Sequence, residues 1–255
     1  MTEPAQLLAR GLSKSFGGVC AVSDLNLEVA AGQMLALMGP NGAGKSTTFN
    51  LLNGQLTPDA GEVWVGGQRV TQAEPSQLWQ MGVGRTFQIA QTFMHLPALT
   101  QVQLALVAKD KRLGWAWWQG LLTPLANQHK DQAMHHLSQL GLADQAMQIP
   151  SNMSYGWVKR LELALCLCQQ PRVLLMDEPT TGLSREERIA LMQTVRRLTR
   201  SESLAVVFTE HSLEAVFGFA DDMILMAKGE VVARGHPEEV RQMPQARELY
   251  FGDAA

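Results

Sequence analysis

Two apolar runs without polar interruption, Met34–Met38 and Val173–Met176, stand out along the chain. Continuous apolarity over four or five residues is the pattern of a parallel strand covered on both faces, since a half-exposed strand would alternate. Before the first run, Leu7–Leu12 and Leu25–Val29 read as strand segments, and Met34–Leu37 as a third. The Gly17-Gly18 and Ala31-Gly32 turns separate them. The Met34 run passes straight into Gly39-Pro40-Asn41-Gly42-Ala43-Gly44-Lys45-Ser46-Thr47, followed by a helical stretch to about Asn53. Val63–Val65 reads as a further strand, closed by Gly66-Gly67.

From Pro97 to Asn152 the period changes from strand to helix, with amphipathic patterns over Val102–Val107 and Asp131–Leu142. This stretch reads as a helical insertion. A parallel α/β pattern returns with Val173–Met176, a helix over Ser184–Thr199 and a strand over Leu204–Thr209. Met223–Met226 and Val231–Ala233 form an expected hairpin around Lys228-Gly229-Glu230, and Pro237–Leu249 a polar helical tail. There is no internal repeat and one nucleotide motif.

Composition narrows the function classes. The 255 residues suffice for one large domain, with or without a small subdomain, and 46% hydrophobic with 18% charged residues is ordinary for a globular protein. A net charge of -3 gives no basic excess, which argues against nucleic acid as a partner. Cys20, Cys166 and Cys168 make no plausible disulfide framework and read as small buried apolar residues in a reducing setting. Met1–Ala21 lacks a basic region followed by an apolar core, and no apolar run approaches the ~20 residues of a membrane span. A soluble chain is expected, any membrane spanning being left to other chains.

The chemistry begins with Gly39-x-x-x-x-Gly44-Lys45-Ser46. Glycines let backbone N–H groups turn inward around phosphates, and the following helix presents its positive end to the same anion. Lys45 would reach the β- and γ-phosphates, and the Ser46 hydroxyl would ligate Mg²⁺. Val173–Met176 ends in Asp177-Glu178, which suits a buried strand whose tip meets phosphates. Asp177 would hold Mg²⁺ and Glu178 would polarise the attacking water as general base. Apolar-Asp-Glu is weak alone, an ordinary strand end being commoner, and gains force downstream of a phosphate loop. His211, one strand later, is placed near the γ-phosphate, although a lone histidine is more often structural. Phe16 fits adenine stacking or a core aromatic equally well. Ser154-Tyr155-Gly156 precedes a helix from Val158 to about Cys168, where an anion site and a plain N-cap are both open.

In order and spacing, the phosphate loop, Gln88, Ser154-Tyr155-Gly156, Asp177-Glu178 and His211 resemble the ABC transporter ATPase family over essentially the whole chain. The resemblance implies an α/β P-loop nucleotide-binding domain with an N-terminal antiparallel β subdomain and an inserted α-helical subdomain. It implies a single cassette, with a core at about 1–95 and 172–236, a helical signature subdomain at about 97–170 and a tail at 237–255. ATP and Mg²⁺ are the implied cofactors, held through Gly39, Asn41, Gly42, Ala43, Gly44, Lys45, Ser46 and Thr47. Phe16 becomes the adenine-stacking aromatic and His211 the switch histidine. Gln88 joins the catalytic and metal-binding sets, on the loop that senses the membrane subunits. Ser154 and Gly156 belong to the signature motif that meets the γ-phosphate held by a second protomer. The implied partners are a second ATPase chain (a sister or another copy), two transmembrane permease subunits and, through the complex, an external solute-binding protein. The implied location is the cytoplasmic face of the inner membrane.

Closer still, the chain is similar to the longer ATPase of importers for branched-chain and other hydrophobic amino acids. The matching pieces are Gly39–Asn50, Gly84-Arg85-Thr86-Phe87-Gln88, Tyr155-Gly156, Arg160-Leu161-Glu162-Leu163-Ala164 and Leu249-Tyr250-Phe251-Gly252. Motors for urea, short amides or aromatic acids remain alternatives. Trp157 stands where the signature usually has glutamine, Met153-Ser154-Tyr155 departs from the usual surroundings, and Ser184 stands where Asp or Asn is usual. These positions face a partner's nucleotide, so the site on this chain's own loop is expected to hydrolyse normally and the other more slowly if the partner differs. The tryptophans of Leu113–Leu122 fit packing within the insertion or a docking surface. A soluble ABC ATPase acting on nucleic acid, or a P-loop kinase or GTPase, fits less well. The chain has one cassette and no long coiled coil, and the Asp-Glu pair suits attack by water.

Overall fold

The computed structural model describes residues 5–109 and 129–251, so the tryptophan-bearing run Leu113–Leu122 lies outside the described residues, as does Gly252. The chain divides into two compact units. One comprises Met1–Gln88, Arg172–Thr181 and Arg188–Ala255; the other comprises Ile89–Pro171 and Gly182–Glu187.

In the larger unit, β1 (Ala5–Phe16) and β2 (Val19–Ala30) form an antiparallel hairpin across Gly17-Gly18. β4 (Ala60–Val65) pairs with the other edge of β1, and β5 (Gln68–Arg69) with β4, giving the order β2-β1-β4-β5. Leu7 and Ala9, Leu25, Leu27 and Val29, and Val63 and Val65 face the core at two-residue spacing, as expected of a sheet with one wet face, and an irregularity after Ala9 puts Leu12 three residues on. Both hairpin strands outrun the expected segments because Lys14–Phe16 and Val19–Val22, next to the turn, still pair.

The second sheet has the order β10-β9-β3-β8-β7-β6. Its members are β3 (Met34–Met38), β6 (Val83–Thr86), β7 (Val173–Met176), β8 (Ala205–Thr209), β9 (Asp222–Ala227) and β10 (Glu230–Gly235). All but β10 run parallel. β3, β7 and β8 are buried at every residue, which accounts for their unbroken apolarity. The helix α1 (Lys45–Leu52) contributes Phe49, Leu51 and Leu52 to a cluster that also holds Leu7 and Leu25 of the first sheet and Leu35, Leu37 and Val207 of the second. At the start of β9, Asp221 accepts from Met34 N at 2.8 Å, from Arg196 at 2.5 and 2.7 Å, and from Arg200 at 2.8 Å. Burial pushes its pKa up, but the guanidinium and N–H donors outweigh this and leave it lowered.

The expected tail is a broken one: a helix over Pro237–Gln242, a short turn over Pro244–Ala246 and a π-turn over Arg247–Phe251. Pro244 cannot donate to the preceding turn, so the first helix stops before it. α2 (Pro75–Gln80) is a helix that hydrophobic periodicity did not announce.

The smaller unit packs α3 (Ala98–Lys109), α4 (Lys130–Gln139) and α5 (Tyr155–Leu167) through Val102, Leu106, Ala133, Leu137, Leu161 and Ala164. α4 ends before the expected Leu142 because Gly141 turns the chain at φ 71°. Buried Gln101 holds the segment before α3, accepting from Phe93 N and donating to the Phe93 and Leu96 carbonyls. Cys168 is buried and its thiol pushed up to about 12 by that burial, whereas Cys20 is exposed, against expectation. No helix among the described residues is long and apolar enough to cross a membrane.

Candidate active site

The sheet's register sets the geometry. Leu37 lies beside Thr209, Met176 beside Phe208, and Thr86 beside Met176, so neighbouring parallel strands end at one level. Gly39 follows directly on β3, and two residues beyond the other ends come Glu178 after β7, His211 after β8 and Gln88 after β6. Open parallel sheets bind ligands at their carboxyl ends, and four separate segments converge there.

Glu178 is the centre of the convergence. Its Oε1 lies 2.8 Å from His211 Nε2, while Oε2 accepts from Gln88 Nε2 at 2.8 Å and from the Thr181 hydroxyl at 3.0 Å. Its backbone sits at φ 44°, a region that a residue bearing a Cβ rarely adopts. Thr209 helps hold that conformation: its hydroxyl accepts from Glu178 N at 2.9 Å and donates to Asp177 Oδ1 at 2.8 Å. The other oxygen of Asp177 lies 3.6 Å from Arg85, which also donates to Asn50 and Gln55 at 2.8 Å each.

Lys45, only 8% exposed, donates to the carbonyls of Gly39 at 2.6 Å and Pro40 at 3.0 Å. Burial lowers its pKa, opposed by the Glu178 and Asp177 charges, which raise it. Gly44 caps α1 in a left-handed conformation at φ 102°, and a Cβ there would collide with the Ala21 carbonyl oxygen. The loop is therefore fixed against the β2 hairpin. Asn41, Gly42 and the Ser46 hydroxyl are exposed, Ala43 is buried, and Thr47 is intermediate. An ammonium, a helix N-terminus, a hydroxyl and a carboxylate at the carboxyl end of one sheet make a donor set that fits a magnesium nucleotide. No group of three or more His, Cys, Asp or Glu suited to a metal occurs among the described residues, so such an ion would lean on the nucleotide's phosphates. Phe16, in the same unit, is 47% exposed, with Lys14 Nζ 5.8 Å from its ring centroid, which sets aside the core alternative.

Ser154 and Gly156 lie in the smaller unit. α5 starts at Tyr155, earlier than expected, with Ser154 at the N-cap position (φ -64°, ψ 155°), yet the Ser154 side chain makes no capping hydrogen bond. A Cβ on Gly156 would come 2.6 Å from Glu187 Oε1. Glu187 is itself held: its Oε2 accepts from Ser184 N at 3.1 Å and its N–H donates to Ser184 Oγ at 3.2 Å. Ser184 thus closes a capping box at the head of α6 (Arg185–Ser201). Trp157 lies under Arg160, whose guanidinium is 5.1 Å from its ring.

Three residues of this arrangement carried no signal of their own in the sequence. Thr209 looked like the end of an apolar strand and Arg85 like part of a matched segment. Glu210 looked like a polar residue beside His211. Only the parallel register shows what they touch.

A loop for phosphates, a strand-end carboxylate pair and a histidine on the next strand define a P-loop nucleotide hydrolase. The ABC transporter family profile matches residues 22–181, and the chain belongs to that family, as one of its ATPases. It is 34% identical to the high-affinity branched-chain amino acid transport ATP-binding protein LivG of Escherichia coli strain K12, with all of both chains covered. It is 33% identical, over the same full extent, to the corresponding protein BraF of Pseudomonas aeruginosa. In structure it is similar to the ADP form of an ATP-binding cassette of an ABC transporter, with a TM-score of 0.85 and 25% identity, covering 98% of this chain and 99% of the other.

Proposed function

We propose that this chain is the ATP-hydrolysing motor of an importer for branched-chain or other hydrophobic amino acids. The observation that carries the hydrolytic part is the Glu178 carboxylate, held by Gln88, Thr181 and His211 at 2.8 to 3.0 Å. A base so oriented takes a proton from water as its oxygen attacks the γ-phosphorus. The bond to the β-phosphate oxygen breaks, leaving ADP and phosphate. Lys45 neutralises the β- and γ-phosphates, and His211 steadies Glu178 and the γ-phosphate. The backbone N–H groups of Gly39 and of Asn41–Thr47 line the phosphates, and Phe16 supports adenine. Ser46 and Asp177, with Gln88 nearby, are the residues to hold Mg²⁺, which would supply charge neutralisation to the transferring phosphoryl group.

Ser154 and Gly156 serve the ATP of a second cassette, a sister chain or another copy. A Ser154 hydroxyl not engaged in capping supports that reading. The exposed apolar side chains Ile89, Phe93 and Met94, following Gln88 in sequence, support docking to two permease subunits at the cytoplasmic face of the inner membrane. An external solute-binding protein then delivers the solute to the complex, and the names of LivG and BraF support branched-chain amino acids as that solute.

Capture of Glu178→Gln with Mg-ATP from native membranes tests the assembly. Two multi-span proteins, a second ATPase and a solute-binding protein that takes up leucine, isoleucine or valine are the expected companions. Recovery of ribosomes, nucleic acid or only soluble proteins refutes the transporter role. A binding protein specific for urea, a short amide or an aromatic acid refutes the solute.

A further inference from the structure

Glu210 is 2% exposed, and a carboxylate at that depth persists only if its oxygens are answered. Each is. Oε1 accepts from Thr180 N at 3.0 Å and from the Thr180 hydroxyl at 2.5 Å; Oε2 accepts from His211 N at 3.1 Å and Ser212 N at 3.2 Å. One side chain thus ties the turn after β7 to the turn after β8. The first turn carries Glu178 in its rare left-handed conformation, and the second carries His211. Such a conformation persists only where its surroundings over-determine it. Thr209 restrains Glu178 from one side, and Glu210 holds the turn two residues further on.

We propose that Glu210 is a positioning residue for hydrolysis, keeping Glu178 and His211 within hydrogen-bond reach of each other. It acts through the two turns it joins. The inference rests on the reading of Glu178 as the base. A carboxamide in its place still accepts from Thr180 through its oxygen but turns an N–H₂ group toward the His211 and Ser212 amides, which are donors themselves. The two turns should then move apart while the phosphate loop, on another strand, keeps its shape.

The test compares Glu210→Gln, Thr180→Val, His211→Ala, Glu178→Gln and the pair Glu210→Gln/His211→Ala in the purified full chain with Mg-ATP. For Glu210→Gln the expected result is a kcat lowered about 10- to 100-fold with KM within about twofold, as for a misplaced rather than a missing group. Thr180→Val, which removes only the hydroxyl contact, should lower kcat less, and it reports in place of Glu210→Gln should that variant not fold. In the pair, the loss should be far smaller than the product of the single losses, since both act on one arrangement. A kcat for Glu210→Gln within about twofold of the parent overturns the proposal. So does a multiplicative loss in the pair, or a kcat loss matched by an equal rise in KM. Glu178→Gln separates the two levels: turnover surviving there refutes the base assignment itself. Turnover abolished there but intact in Glu210→Gln refutes the role of Glu210 alone.

Discussion

The unit with the phosphate loop and the unit with Ser154 hold their key residues in different ways. In the first, the polar groups answer one another: Glu178 is bound by Gln88, Thr181 and His211, and Asp177 by Thr209. In the second, Gly156 stands against Glu187, Ser184 is engaged in a capping box, and the Ser154 hydroxyl has no capping role. The first arrangement is assembled within the chain by the register of a parallel sheet. The second is a helix start with small groups, which the proposed function assigns to the ATP of a second cassette. The positions expected to depart from the family pattern, Met153-Ser154-Tyr155, Trp157 and Ser184, all fall in the second unit.

That contrast can be broken at several points. His211→Ala removes one of the three groups on Glu178 and should lower turnover by about a hundredfold, or about 2.7 kcal/mol, with nucleotide affinity retained. Steady-state rates beside nucleotide titration would show it, and a loss confined to affinity would contradict the assignment. Asp221→Asn loosens the join of β3, β9 and α6 and should cost about 2 kcal/mol in urea unfolding, since hydrogen bonds to charged groups are lost. Because the folded pKa of Asp221 is lowered, its contribution is present above the unfolded value of 3.8 and fades as pH falls through the folded value. The parent should therefore lose stability on acidification over that range faster than the variant.

Ser184→Ala opens the capping box and should cost about 1 kcal/mol, with Ser184→Asp restoring most of it. Equal stability of all three would mean that the box contributes nothing. Trp157→Gln, the mildest change, should raise turnover of the assembled complex about twofold, or about 0.4 kcal/mol. An unchanged rate would detach Trp157 from the slower site.

The sequence made the buried strands plain because β3 and β7 have no exposed face and so no polar interruption. β6 escaped notice: Gly84 and Arg85 break its apolar run, and it exists by pairing with β7. The ends of β1 and β2 nearest the hairpin turn are likewise held by backbone pairing, which leaves no mark in a hydrophobic pattern. At the site, Lys45 was legible from the glycine-rich loop before it, and Asp177, Glu178 and His211 from polar residues that follow apolar strands. Thr209 and Glu210 were not, because their work is done across strands, between residues about 30 apart in sequence.

On the proposed function, the polar groups of the loop-bearing unit serve hydrolysis as one assembly around Glu178. Mg-ATP binding and turnover, measured side by side in the Glu178→Gln chain, decide whether Glu178 is its base. ATP affinity within about twofold of the parent and turnover reduced by about a hundredfold or more are expected. Turnover near the parental rate would place the base elsewhere and refute that function for Glu178.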